Sequence, residues 1–328
     1  MEYNRPMQVV FVIPVFNEQE TIAPLAEGII AQMGARSHRI IFVNDGSTDD
    51  SWARIVKLRE KHPNIDAIRL RRNFGKTIAL TVGFAHAQGG IIVTMDADLQ
   101  DDPREIPRML VPIEEGGYDV VCGWKHRRHD PWHKTIPSRI YNAWIARTFK
   151  LPIHDVNTGF KAMRNTAVCG MPLYGDMHRL IPVFAASLGF RVTEIPVAHQ
   201  PRRFGKSKYG FDRFGRGALD TITAAFLTKY GDAPGQYFGR MILFCGAMIV
   251  AVLLAAVVAS LLVTFFLSSA NYGEQLAMTA IILLMMLMSL VIVCVGTVGV
   301  GLGFVAELLL RRTPAPDPNR YIAEKHVG

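Results

Sequence analysis

Apolar and polar positions switch between two periods along the N-terminal part of the chain. Gln8 to Pro14 is a β-branched, apolar run, and Glu18 to Met33 repeats its apolar residues at helical spacing. Arg39 to Asn44 is again strand-like and Thr48 to Lys61 again helical. Ile65 to Leu70, Ile91 to Met95 and Asp119 to Gly123 predict further strands, with a helix over Gly75 to Ala87. Parallel strands need a crossover, so this alternation predicts an α/β fold with a mostly parallel, doubly wound sheet. Ligands of such sheets sit outside the carboxyl ends of the strands. The polar clusters fall there: Phe16-Asn17-Glu18, Asp45-Gly46-Ser47, Arg71-Arg72-Asn73 and Asp96-Ala97-Asp98 follow the first four strands in turn.

The C-terminal part has a different pattern. No residue is charged from Met241 to Leu267 or from Leu276 to Ala306, and each stretch exceeds the roughly 20 apolar residues that cross a bilayer. Two transmembrane helices joined by the short polar turn Ser268 to Gln275 are expected. Lys229 and Arg240 precede the first span and Arg311 and Arg312 follow the second, whereas the turn carries only Glu274. Basic residues stay inside, so both termini are expected in the cytoplasm and the protein in the inner (cytoplasmic) membrane. Met1 to Val10 lacks the pattern of an export signal. The basic, aromatic stretch Lys125 to Lys150 includes Pro137 to Phe149, which can form an amphipathic helix in the membrane interface, and Phe211 to Tyr230 is a second such segment. The expected division is a domain over 1–210 with its interface helix at about 132–150, an interfacial linker over 211–235, two spans within 236–312 (about 241–267 and 276–306), and a flexible, proline-rich tail over 313–328.

Composition narrows the partners. The formal net charge is +8, from 36 Lys and Arg against 28 Asp and Glu. The cations cluster near the membrane segments, which points to anionic lipid or lipid phosphate and away from nucleic acid. Four scattered cysteines, two of them within the spans, make neither a disulfide framework nor a zinc site.

Asp96 and Asp98 stand two apart beyond an apolar strand, where carboxylates can reach a divalent cation shared with a diphosphate. Asp45 lies at a strand end within reach of a base or ribose. Ser47 with Asp50 reads as a capping-box-like helix start. In His154 to Lys161 a glycine-centred polar loop offers Asp155 as an acid or base, or as a plain turn. Arg202 to Tyr209 packs four cations around Gly205, a pattern suited to phosphate.

Together, Val12-Ile13-Pro14-Val15-Phe16-Asn17-Glu18, Asn44-Asp45-Gly46-Ser47-Thr48-Asp49, Arg72-Asn73-Phe74-Gly75-Lys76, Met95-Asp96-Ala97-Asp98-Leu99-Gln100-Asp101 and Gly205-Lys206-Ser207-Lys208-Tyr209 resemble the family-2 glycosyltransferases of the dolichol-phosphate mannosyltransferase and bactoprenol (undecaprenyl-phosphate) glucosyltransferase group. The resemblance implies a GT-A, Rossmann-like catalytic domain, a nucleotide-sugar donor, Mg2+ or Mn2+, a polyprenyl phosphate acceptor and inverting transfer. It assigns Pro14, Phe16, Glu18, Asp45, Lys76, Asp96 and Ala97 to the nucleotide sugar, and Asp96, Asp98 and Gln100 to the metal. Arg127, Arg139, Arg202, Ser207 and Lys208 are assigned to phosphate or lipid, and Asp96, Asp98 and Asp155 to catalysis. Phe16 stands where many members have tyrosine. The lead donor is UDP-glucose, with GDP-mannose, UDP-N-acetylglucosamine or an aminoarabinose donor as alternatives. A homo-oligomer packed through the spans and a downstream flippase and glycan-transferring enzyme are compatible partners. A transport or scaffold subunit is the competing class; the absence of a G-x-x-x-x-G-K-[ST] loop counts against it. A processive synthase is disfavoured by the missing Q-x-x-R-W segment.

Overall fold

The computed structural model describes residues 7–126, 132–171, 173–201, 213–230, 233–266, 272–312 and 317–327. Two compact units emerge, 1–225 with 315–328, and 226–314. In the first, the elements run β1 (Val9–Val15), α1 (Ile22–Met33), β2 (His38–Asn44), α2 (Ser51–Lys61), β3 (Ile65–Leu70), α3 (Lys76–His86), β4 (Ile91–Thr94), α4 (Ile106–Glu114) and β5 (Val120–Trp124). They continue with α5 (Trp132–Phe149), β6 (Lys161–Arg164), α6 (Asn165–Val168), α7 (Ile181–Ser187), β7 (Val192–Pro196) and most of α8 (Arg213–Tyr230).

Among the described residues the strands form one sheet in the order β7-β5-β6-β4-β1-β2-β3-β8, with β8 at Ile322–His326. β6 runs against β4 and β5, and β8 runs against β3; the other pairings are parallel. Both sheet faces are covered, which is why β1 and β2 read as continuous apolar runs. Phe11, Ile13, Ile40 and Phe42 pack with Ile22, Leu25 and Ile29 of α1 and Met109 and Ile113 of α4. On the opposite face α3 lies close: a Cβ on Gly83 would stand 2.2 Å from Val12 Cγ1, so only glycine allows this approach.

Three local expectations are corrected. Helix α2 begins at Ser51, and the Ser47–Asp50 capping box does not form. Ser47 Oγ instead accepts the Asn17 N–H at 2.9 Å, and Asp49 Oδ1 accepts that of Ser51 at 3.0 Å. The first of these bonds fastens the loop after β1 to the loop after β2, and the second closes the start of α2. Lys125, grouped with a membrane-facing basic stretch, is largely buried and pairs with the buried Asp101 at 3.0 Å. Of the tail expected to be flexible, the described residues 317–327 are ordered: Asp317 accepts from Asn319 N at 2.9 Å, Pro318–Tyr321 make a short 3₁₀ turn, and β8 completes the sheet edge. Its gain is pairing for backbone groups of β3 that an open edge would leave bare.

In the second unit, α9 (Pro234–Phe266) and α10 (Tyr272–Arg312) contain apolar stretches over Gln236–Phe265 and Leu276–Val305, each long enough to cross a membrane. Their apolar side chains are bare, Leu243, Leu254, Ile281 and Leu302 all being more than half exposed, which no core helix of a soluble protein would show. This is a membrane-associated chain. The helices touch where residues are small, a Cβ on Gly301 coming within 3.2 Å of Met241 Cε. Cys245 Sγ and Thr297 Oγ1 lie 3.5 Å apart across the same pair.

Candidate active site

The crevice at the carboxyl ends of β1 to β4 is built from four loops that hold one another. Asp45, nearly fully buried, accepts the backbone N–H of Phe74 at 2.7 Å and of Gly75 at 2.9 Å. A Cβ on the neighbouring Gly46 would stand 2.4 Å from the carbonyl carbon of Arg72, so this glycine, at φ 66°, lets the loop after β3 lie on the loop after β2. Burial raises the pKa of the Asp45 carboxyl, against the N–H groups of Phe74 and Gly75 and the charge of Arg72.

The next residue of that loop, Lys76, opens α3 and forms an ion pair with Asp96 beyond β4. Burial pushes the Asp96 carboxyl up, but Lys76, Lys125 and Lys161 together hold it down at about 2. Asp96 also lies against the glycine of the His154–Lys161 loop: a Cβ on Gly159 would stand 2.6 Å from Asp96 Oδ2. Thr94 Oγ1 donates to the Gly159 carbonyl at 2.8 Å, fixing that contact. Asp98 is buried and accepts the Gln100 N–H at 3.1 Å. Between them Leu99 adopts φ 59°, a left-handed conformation uncommon for a branched apolar residue. Gln100 Nε2 lies 3.4 Å from His199 Nε2.

Pro14, Phe16, Glu18, Asp45, Lys76, Asp96, Ala97, Asp98 and Gln100 therefore gather along one end of the sheet. Asp155 lies to the side, 1% exposed, and accepts Asn142 Nδ2 of α5 at 3.1 Å. Asn142 Oδ1 in turn accepts from Asn157 at 3.2 Å. Arg127, Arg202, Ser207 and Lys208 lie outside the described residues, as does the side chain of Arg139. Lys125, Lys161, Gly159 and Asn142 were not singled out in the motifs. Lys161 is 2% exposed and donates to the Thr158 carbonyl, and burial pushes its pKa down to about 8. A buried lysine at a strand end leaves no periodic signal.

Among the described residues no three His, Cys, Asp or Glu side chains cluster as a metal site. Two carboxylates and a carboxamide nevertheless present hard oxygen donors of the kind that suits Mg2+ or Mn2+ when substrate phosphates complete the shell. That donor set fits a shared-metal site.

A mostly parallel sheet with one reversed strand between β4 and β5, and an acidic pair at the end of β4, define a GT-A-like nucleotide-binding fold. Residues 10–169 match the model of glycosyl transferase family 2. Dodecaprenyl-phosphate galacturonate synthase of Rhizobium johnstonii is 36% identical over 254 residues, covering 76% of this chain and 75% of that protein. Undecaprenyl-phosphate 4-deoxy-4-formamido-L-arabinose transferase of Sodalis glossinidius is 34% identical over 310 residues, covering 93% and 89%. A crystal structure of glucosyl-3-phosphoglycerate synthase from Mycobacterium tuberculosis, with Mn2+, UDP-glucose and phosphoglyceric acid, superposes with a TM-score of 0.50 at 20% identity, covering 67% of this chain and 79% of that one, and bears on the fold alone. The chain belongs to glycosyl transferase family 2 and is an enzyme.

Proposed function

We propose that the enzyme transfers a sugar from a nucleoside diphosphate to a polyprenyl phosphate at the cytoplasmic face of the inner membrane, with inversion at the anomeric carbon. The observation that carries this reading is the meeting of Asp96, Lys76 and the Asp45-held loop at the ends of three strands, in a chain with two membrane-length helices. Relatives named for undecaprenyl and dodecaprenyl phosphate support the acceptor. Their sugars, galacturonate and 4-deoxy-4-formamido-L-arabinose, stand beside UDP-glucose as donor classes to be compared.

In this reading Pro14, Phe16, Glu18 and Asp45 shape the nucleoside pocket, and Lys76 meets a donor phosphate oxygen. Asp96, Asp98 and Gln100 would hold Mg2+ or Mn2+, and the ion would supply neutralisation of diphosphate charge. An oxygen of the acceptor phosphate attacks the anomeric carbon as its bond to the diphosphate oxygen breaks, and the nucleoside diphosphate leaves from the opposite side. The attacking oxygen is anionic at neutral pH, so positioning and charge supply most of the acceleration. Asp155 orients the acceptor side; its burial against Asn142 supports a holding role over that of a base. Asp155→Asn is expected to keep a pH–rate profile of wild-type shape, and recovery of a lost rate only at high pH would mark Asp155 as a base.

Chain connectivity supports the placement in the membrane. β3 and β8 belong to one sheet, yet α9 and α10 lie between them in sequence. A chain that leaves and rejoins one folded body must cross an even number of times, as a two-span hairpin does. The exposed Ile140 and Trp144 of α5 and Leu219 and Ile222 of α8 support interfacial contact. Tyr141 fastens the two helices, bonding to Thr221 Oγ1 at 2.8 Å and Gly217 O at 3.1 Å.

The test is transfer of radiolabel from UDP-glucose, UDP-galacturonate, a 4-deoxy-4-formamidoarabinose donor and GDP-mannose to undecaprenyl phosphate, with Mn2+ or Mg2+. One donor yielding labelled lipid, abolished by chelator and reduced at least about 100-fold in Asp98→Asn, is expected. Donor binding without any lipid product would overturn the acceptor assignment.

A further inference from the structure

The loop that carries Lys76 is gripped from two sides, by the residue that follows β2 and by the segment that leads into β8. From inside, Asp45 takes the N–H groups of Phe74 and Gly75. From outside, the segment that follows α10 in the chain reaches the same loop. Arg71 N donates to the Tyr321 carbonyl at 2.9 Å and Arg71 Nε to the Ile322 carbonyl at 3.2 Å. The Tyr321 ring meets the Phe74 ring edge-on, with centroids 5.0 Å apart and planes at 70°. The Arg72 guanidinium lies 4.2 Å from the centroid of Phe74, stacking on the ring that Tyr321 holds.

Strand pairing shows where the grip is aimed. β8 pairs Ala67 with His326, Ile68 with Lys325 and Arg69 with Glu324, then skips Ala323 so that Leu70 faces Ile322. The extra residue is a bulge at the point where β3 becomes the loop, and bulges re-aim the chain beside them. Here it brings Tyr321 beside Phe74 instead of continuing the ladder. The far end of β8 is anchored separately, His326 lying 5.9 Å from the Trp52 ring of α2. Anchor and grip can therefore be separated by mutation.

The geometry points to Tyr321 as a positioning residue of the donor site: its ring and carbonyl brace the Arg71–Gly75 loop and so set where Lys76 stands beside Asp96. The inference rests on the donor site proposed above. It gives the last strand a role in substrate binding.

The full-length enzyme in nanodiscs tests it through two readouts, donor KM against kcat and amide exchange at residues 71–76. Tyr321→Ala is expected to raise donor KM about threefold to tenfold, the range one edge-on aromatic pair supplies, with kcat little changed. It should also speed exchange at Phe74 and Gly75. Tyr321→Phe keeps ring and carbonyl, loses only the hydroxyl that Arg320 contacts, and should match wild type. His326→Ala loosens the anchor and should move donor KM by less than about twofold. Wild-type KM and exchange in Tyr321→Ala would overturn the inference. So would an equal rise in KM in His326→Ala at the same thermal midpoint, since the effect would then be general loosening of the edge. If no donor in the panel is transferred by wild type while Tyr321→Ala still frees the loop amides, the brace stands as a feature of the fold and the donor-site reading fails.

Discussion

At the scale of single residues, the decisive contest is over the charge of Asp96. Burial alone would favour the protonated acid, yet three lysines converge on it and hold its pKa at about 2 against an ordinary 3.8. The sign of the linkage follows: the group stabilises the fold in full above pH 3.8, and that contribution is lost as pH falls through about 2. Lys76→Met removes the direct partner. The gap in thermal midpoint between wild type and this variant is expected to be widest near neutrality and to close as pH falls below 4, which a series of melts from pH 7 to about pH 2 would measure. A constant gap at all pH values would mean that Lys76 acts through packing alone. Asp96 and Asp98 were readable as a pair because their spacing and strand-end position are local. Lys125, Lys161 and Gly159 were not, because their proximity to Asp96 is created by β5 and β6, distant in sequence from β4.

Among the elements, loops do the joining. The bounds of β1, β2, β3 and β4 and of the helices between them agree with the periodicity to within a few residues, since each element is amphipathic or apolar on its own account. What periodicity cannot give is which loop holds which. Asp45 looked like a nucleotide contact; it also serves as the acceptor for two backbone N–H groups of another loop. Asp45→Ala would leave those donors without a carboxylate, at a cost of about 1–3 kcal/mol. The expected result is a lowered thermal midpoint together with weaker donor binding, measured by calorimetry; a drop in donor binding at an unchanged midpoint would assign Asp45 to ligand contact alone. Strands β6 and β7 leave no strand pattern in the sequence because they are short and carry polar residues: β6 reads Lys-Ala-Met-Arg, and its lysine is buried by its neighbours.

For the whole molecule, the order of elements forces the catalytic unit and the apolar hairpin into one connected design. The sheet receives its edge strand from beyond both long helices. The exposed Ile140 and Trp144, one helical turn apart on α5, are expected to rest on lipid. Replacing both with Asp should leave the melting profile within a few degrees of wild type and raise KM for a long-chain acceptor, with little change for a short, water-soluble analogue. Equal kinetics with both acceptors would remove the interfacial role of α5.

The sequence by itself determined what local pattern encodes. The alternation of strand and helix, the acidic pair beyond the fourth strand and the two uncharged runs all follow from residue-by-residue physics: burial of apolar faces, carboxylate chemistry and the cost of charge in hydrocarbon. Only the tertiary structure decided the reversed β6, the lysines around Asp96, the withdrawal of Lys125 from the surface and the return of Ile322–His326 to β3. Each of those depends on partners far apart in the chain. Ile322–His326 read as part of a loose tail because so short a segment has no apolar face of its own; it gains a place when β3 offers an edge whose backbone donors and acceptors need pairing.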